Sequence, residues 1–198
     1  MNTQKIKQFL QSLAVVPLLA VMPVTGIVTT PVANVVLSQS AAQSSAITTP
    51  QDQVSKDEAA KIDAVFASRN SPLAGYGMTF VSEAQKNGIN PYLLPAIMLR
   101  ESSGINSCQN TQKAPNNFAG WASCRSGFDS IQDSIARISA ALGGKNPNIT
   151  AYAAGMTDTQ ILRIYNPPTA VYKYPQQVVT IMKMIDNTTP NTATLALK

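Results

Sequence analysis

One glutamate stands where its type and spacing could do chemistry. The segment Asn90-Pro-Tyr-Leu-Leu-Pro-Ala-Ile-Met-Leu-Arg-Glu101-Ser-Ser-Gly104 reads as a helix capped by Asn90, with Pro91 at its first position and Gly104 at its end. Leu94, Ile97 and Met98 lie seven, four and three residues before Glu101, offsets that put all four on one helical face. A carboxylate beside an apolar stripe is partly desolvated, and the C-terminal end of a helix is its negative pole. Both effects favour the proton-carrying form. A carboxylic acid held in that form can protonate the leaving oxygen of a glycosidic bond. The same spacing also suits an edge-of-core glutamate paired with Arg100 or Lys113.

The chain contains no histidine among its 198 residues. Ser-His-Asp and Cys-His nucleophilic machinery need an imidazole to take the proton, so both are excluded. Zinc hydrolase sites lose their usual neutral ligands, and two cysteines cannot complete a four-ligand cluster, so no metal or cofactor is expected. Carboxylate chemistry remains. Cys108 and Cys124 are 16 residues apart, and in an oxidising compartment they are expected to pair. Closing a loop of that size stabilises by about 3 kcal/mol in the chain-entropy model. Two buried thiols are the alternative.

The elements that must position Glu101 are helical almost throughout. Ser55-x-x-Glu58 is a capping-box signal ahead of Ile62, Val65 and Phe66 at helical spacing. A turn at 71–75 leads to a helix carrying Phe80, Val81 and Ala84, stopped by Gly88. After the Glu101 helix, in which Pro95 should bend the start, residues 105–127 break into Asn, Ser, Gly and Pro. This stretch is expected to be a long structured loop, with a short hairpin as a further option, pinned by the disulfide. Asp129-x-x-Gln132 then opens a helix with Ile131, Ile135, Ile138 and Leu142 on one stripe, ended by Gly143-Gly144. Thr157-x-x-Gln160 opens a short helix, and Pro175 starts a last one with Val178, Val179, Met182 and Ile185. The expected fold is mainly α, a compact helical domain with one long loop pinned by the disulfide.

Lys5 and Lys7 precede an apolar stretch over 9–28, and no acidic residue occurs before Asp52. A basic start followed by an apolar core is the pattern of an export signal, and the stretch also approaches the roughly 20 residues that span a membrane. Residues 1–29 are therefore expected to be a signal peptide, cut near Ser40-Ala41-Ala42 or Ser44-Ser45-Ala46, or else an uncleaved anchor. Residues 30–50 read as a Ser/Thr/Ala/Pro-rich linker, 51–187 as the folded domain and 188–198 as a loose tail. The domain is thus expected outside the cytoplasm and as a monomer. The net charge of +5 suits residence near anionic wall polymers, while no basic run or aromatic-basic interleaving points to nucleic acid.

From about Leu73 to Ile185 the chain resembles the lysozyme-like superfamily of peptidoglycan glycosidases. It is most similar to the N-acetylglucosaminidase branch, glycoside hydrolase family 73, with the soluble lytic transglycosylases close behind. The matching pieces, in order, are Asn87-Gly-Ile-Asn-Pro-Tyr-Leu-Leu94, Leu99-Arg-Glu-Ser-Ser-Gly104, Asn116-Asn-Phe-Ala-Gly-Trp121, Phe128-Asp-Ser-Ile-Gln-Asp-Ser-Ile135 and Ile164-Tyr-Asn-Pro-Pro168. The resemblance implies an α+β lysozyme-like fold whose long loop lines a glycan groove, with Glu101 as the general acid and Ser102 at the cleft floor. It implies that Asn117, Phe118, Gly120 and Trp121 line the saccharide groove, with Tyr165 and, more remotely, Tyr174 reaching the site. Core or helix-end packing is the competing role for Ser102, Trp121 and both tyrosines. The implied substrate is the β-1,4-linked glycan strand of peptidoglycan, cut hydrolytically; transglycosylation and glycan binding without turnover are the alternatives. Ala119 departs from the Gly or Pro often found at its position. No carboxylate occurs between Glu101 and Asp129. Asp129 reads better as a helix cap and Asp133 as a solvated face than as a second catalytic group, so Glu101 is expected to act alone.

Overall fold

A computed structural model describes residues 49–106, 108 and 113–190. The expected signal or anchor, nearly all of the linker and most of the C-terminal tail lie outside the described residues. Six α-helices follow in order: α1 (Pro50–Ala67), α2 (Gly77–Asn87), α3 (Leu93–Ser102), α4 (Ile131–Leu142), α5 (Asp158–Tyr165) and α6 (Tyr174–Asp186). A short 3-10 turn, Trp121–Cys124, interrupts the long loop. Among the described residues there is no strand, so the optional hairpin in the loop is not formed there and the architecture is mainly α. No helix among them is long and apolar enough to cross a membrane.

Helix α3 is the buried axis. Leu93 through Leu99 are all buried, as expected for a helix that is apolar nearly all round, and α3 packs against α6 and α4. Helix α1 packs on α2 and α6, α2 on α4, and α5 on α6. Phe66 of α1 and Phe80 of α2 stack with ring centres 5.8 Å apart. At the crossing of α2 and α4 the backbones meet closely. A Cβ at Gly143 would lie 2.3 Å from the Asn87 carbonyl oxygen, so only glycine fits.

The caps correct three sequence expectations. Thr49, with Asp52, forms the capping box of α1, and Ser55 lies buried inside that helix. Ser130, not Asp129, caps α4 by accepting from the Asp133 N–H. Helix α3 starts at Leu93 rather than Pro91, while Asn90 Oδ1 accepts from the Tyr92 N–H at 2.9 Å in the turn before it. With that start Pro95 falls in the first turn, where its missing N–H would have had no helical partner, so it need not bend the helix. The capping box of α5 at Thr157 and Gln160 forms as expected.

Candidate active site

The site begins with a loop held by its own side chains. Cys108 and Cys124 form a disulfide with Cα atoms 5.7 Å apart. Asn117 is fully buried; its Oδ1 accepts from the Trp121 N–H at 2.8 Å, and its Nδ2 donates to the carbonyls of Trp121 at 2.9 Å and Ser126 at 3.0 Å. The Ser102 hydroxyl lies within donating distance of the Met98 carbonyl (2.9 Å) and the Phe118 carbonyl (2.7 Å), which ties the end of α3 to the loop. The Tyr165 hydroxyl donates to the Ala119 carbonyl. Ala122, Ser123 and Cys124 are three successive residues with φ between 52° and 58°. Each such residue costs about 1–2 kcal/mol, so this turn persists only because the disulfide and the Asn117 bonds over-determine it.

Against this loop stands Glu101, near the C-terminal end of α3. The Tyr174 hydroxyl donates to Glu101 Oε1 at 2.5 Å. The other carboxylate oxygen, Oε2, faces Gly120, where a Cβ would lie 3.8 Å from it. Gly120 has φ 63°, so a side chain there would strain the backbone, and its Cβ would rest in ordinary contact with the carboxylate. Glu101 forms no ion pair among the described residues. Arg100 instead donates from Nε to Gln177 Oε1 at 2.7 Å, and Lys113 is exposed. The edge-of-core ion pair that spacing also allowed is therefore not formed.

A cleft of about 490 Å³ opens at Glu101, in the range typical of ligand pockets. The loop wall is Ala119, Gly120, Trp121, Ala122 and Ser123, and the opposite wall is Ile149, Tyr152, Tyr165 and Asn166. Four aromatic rings run in a row toward the carboxylate. Tyr152 and Trp121 stack with centres 6.4 Å apart, Trp121 and Tyr165 meet tilted at 46° with centres 5.8 Å apart, and Tyr165 and Tyr174 stack with centres 6.0 Å apart. Burial pushes the Tyr152 hydroxyl up to about 12. Burial raises Tyr165 well above the usual phenol range, and the Glu101 charge raises it further. Tyr174 is raised by burial first, then by its hydrogen bond to Glu101 and the charge there, with Arg100 partly opposing. All three are therefore neutral hydrogen-bond donors at neutral pH.

Gly120, Trp121 and Tyr165 thus line the cleft with Glu101, and Tyr174 holds Glu101 from behind. Ser102, Asn117 and Phe118 do not line it; they form the support under the loop wall, with Phe118 in the core. Sequence reasoning missed Tyr152, Ile149 and Asn166, together with Ala122 and Ser123. Tyr152 lies in the irregular connection between α4 and α5, and the length of that connection is the signal that could have drawn attention to it. Asp129 and Asp133 are not in the cleft lining. Asp133 Oδ2 accepts from the Asp129 N–H and from Arg137 at the start of α4. Glu101 is the one carboxylate lining the cleft among the described residues. A larger groove of about 790 Å³ lies between α1 and the end of α6. Its carboxylate, Asp63, accepts from the backbone N–H groups of Gly75 and Gly77, which suits a loop anchor.

Comparison of the chain with protein-family models, with curated proteins and with solved structures returns no match.

Proposed function

We propose that the chain is an exported glycosidase that cleaves β-1,4 bonds of peptidoglycan, of the lysozyme-like, endo-β-N-acetylglucosaminidase type, with Glu101 as its single acid and base. The observation that carries this reading is a lone carboxylate at the end of an aromatic cleft, with one oxygen held by Tyr174 and the other open to the cleft. Aromatic rings suit the apolar faces of sugars.

The Tyr174 bond divides the work between the two carboxylate oxygens. Oε1 is the fixed acceptor, so Oε2 carries the proton. Glu101 gives that proton to the glycosidic oxygen as the bond to the anomeric carbon breaks. The carbonyl oxygen of the substrate's own 2-acetamido group bonds to that carbon in place of a second carboxylate. Paired carboxylates would stand roughly 5–10 Å apart, and the cleft lining supplies one. Glu101, now ionised, takes a proton from water as the water oxygen bonds to the anomeric carbon and the acetamido oxygen leaves. The acid is regenerated.

One observation favours a second reading. Among the described residues Glu101 is the one carboxylate in the cleft lining to accept a proton from the attacking oxygen, so an internal hydroxyl of the sugar could replace water without further machinery. That is the lytic transglycosylase outcome. Mass spectrometry of digested sacculi separates the readings: reducing ends mark hydrolysis and 1,6-anhydro ends mark transglycosylation. Glu101→Gln should lower fragment release by roughly 10²–10⁴-fold while leaving sacculus binding nearly intact. Wall binding by the wild-type chain with no fragments of either kind would reduce the proposal to a glycan-binding module.

A further inference from the structure

Tyr174 joins the neutral cleft to a cationic patch. Its ring centre is 6.0 Å from that of Tyr165 in the cleft wall and 5.9 Å from the Arg100 guanidinium carbon. Apart from Glu101 itself, no charged side chain among the described residues lines the cleft. On the patch, Arg100 donates from Nε to Gln177 Oε1 at 2.7 Å, and Gln177 Nε2 donates to the Tyr172 carbonyl at 3.4 Å. Lys173 Nζ lies 5.0 Å from the centre of the Tyr172 ring, which is 75% exposed. Neither Arg100 nor Lys173 forms an ion pair among the described residues. With Nε engaged by Gln177, the two terminal nitrogens of Arg100 present the fork that binds a carboxylate through two parallel bonds. Lys173 occupies a left-handed position at the start of α6, with φ 58°, where glycine or asparagine would relieve the strain. A long cation kept at a strained position on this patch invites a functional explanation.

Peptidoglycan alternates an uncharged sugar, N-acetylglucosamine, with N-acetylmuramic acid, whose lactyl ether ends in a carboxyl group that usually bears a peptide. On the premise that the cleft takes this polymer, we propose that Arg100 and Lys173 form an acid-reading point that binds the carboxylate carried by the muramyl residue, while the Trp121–Tyr152–Tyr165 pocket takes the neutral sugar. The alternation of the strand then allows a single register, so one of its two kinds of glycosidic bond meets Glu101. The carboxylate is either that of the lactyl group or one on the stem peptide. Both offer the same chemistry to a guanidinium and an ammonium.

The test measures binding, so it does not depend on turnover. Full-length protein carrying Glu101→Gln is sedimented with intact sacculi, with amidase-stripped glycan strands and with chitin, alone and with Arg100→Gln or Lys173→Asn added; asparagine tolerates the left-handed backbone. Each added change should weaken binding to at least one acidic polymer by about tenfold and leave chitin binding unchanged. Loss on stripped strands identifies the lactyl carboxylate, and loss confined to sacculi identifies the peptide. Unchanged binding to both acidic polymers overturns the proposal, as does an equal loss on chitin. Should Arg100→Gln fail to fold, the Lys173→Asn arm decides alone. Absence of wall fragments from the Glu101-intact chain would count against the glycosidase reading and leave the outcome for the acid-reading point standing.

Discussion

At the scale of the residue, the proposed chemistry turns on which oxygen of Glu101 is free. Tyr174→Phe removes the donor to Oε1 while keeping the ring stacked on Tyr165. It should lower kcat on sacculi by about tenfold with KM nearly unchanged, because the bond orders the acid and does not bind the sugar. Steady-state turbidity assays on sacculi check this, and a change confined to KM would assign Tyr174 to binding instead. Gly120→Ala should be more damaging than its size suggests, since a methyl group would face Oε2 on a strained backbone. Glu101 was legible in the sequence because helical spacing places a carboxylate on a face without any knowledge of the loop. Trp121 and Tyr165 were found through the motif they sit in, whereas Tyr152 was not, since nothing periodic marks an irregular connection. Ser102, Asn117 and Phe118 lie in the right segment but behind the wall. A motif gives the neighbourhood of a side chain, and only the backbone turn decides which way it points.

At the scale of the element, helices were legible from apolar periodicity and the start of α5 was placed correctly, while the starts of α1, α3 and α4 slipped. Asp, Ser and Thr all cap well, so a run such as Phe128-Asp-Ser-Ile offers two adjacent candidates and the sequence does not choose between them. Ser130 is the cap of α4, so Ser130→Ala should cost about 1 kcal/mol in chemical denaturation, whereas Asp129→Ala should stay within about 0.5 kcal/mol. The reverse order would restore Asp129 to the cap. The loop wall was legible only as far as its crosslink. Its left-handed turn depends on side-chain bonds to backbone that no pattern encodes. Reducing Cys108–Cys124, or replacing both residues with serine, should lower stability by about 2–4 kcal/mol and raise KM for sacculi, because Ala122 and Ser123 line the cleft. Thermal melts and kinetics with and without a dithiol measure both effects. An unchanged KM after reduction would show that the other bonds hold the wall alone.

At the scale of the whole molecule, the mainly helical body and the disulfide were both expected from sequence. The hairpin option was lost to a loop that satisfies its backbone through Asn117, Asn116 and Ser102 rather than through a ladder. Burial of the tyrosines makes stability depend on pH on the alkaline side. In the unfolded chain their phenols lose protons near pH 10, while in the folded chain Tyr152 keeps its proton to about 12 and burial also raises Tyr165 and Tyr174 well above the usual phenol range. The unfolded state therefore binds fewer protons above pH 10, the slope of stability with pH is negative there, and the contribution present below pH 10 is progressively lost. Melting temperature should fall between pH 10 and 11.5 more than between 8 and 9.5, and Tyr152→Phe should flatten part of that fall.

The central claim is that one carboxylate does the work of two. It is tested most directly by comparing fragment release from sacculi by the Glu101→Gln, Asp129→Asn and Asp133→Asn variants. The first should lose release by roughly 10²–10⁴-fold while the other two stay within about twofold of the unaltered chain. A loss at Asp129 or Asp133 equal to that at Glu101, in a variant that still folds, would contradict it.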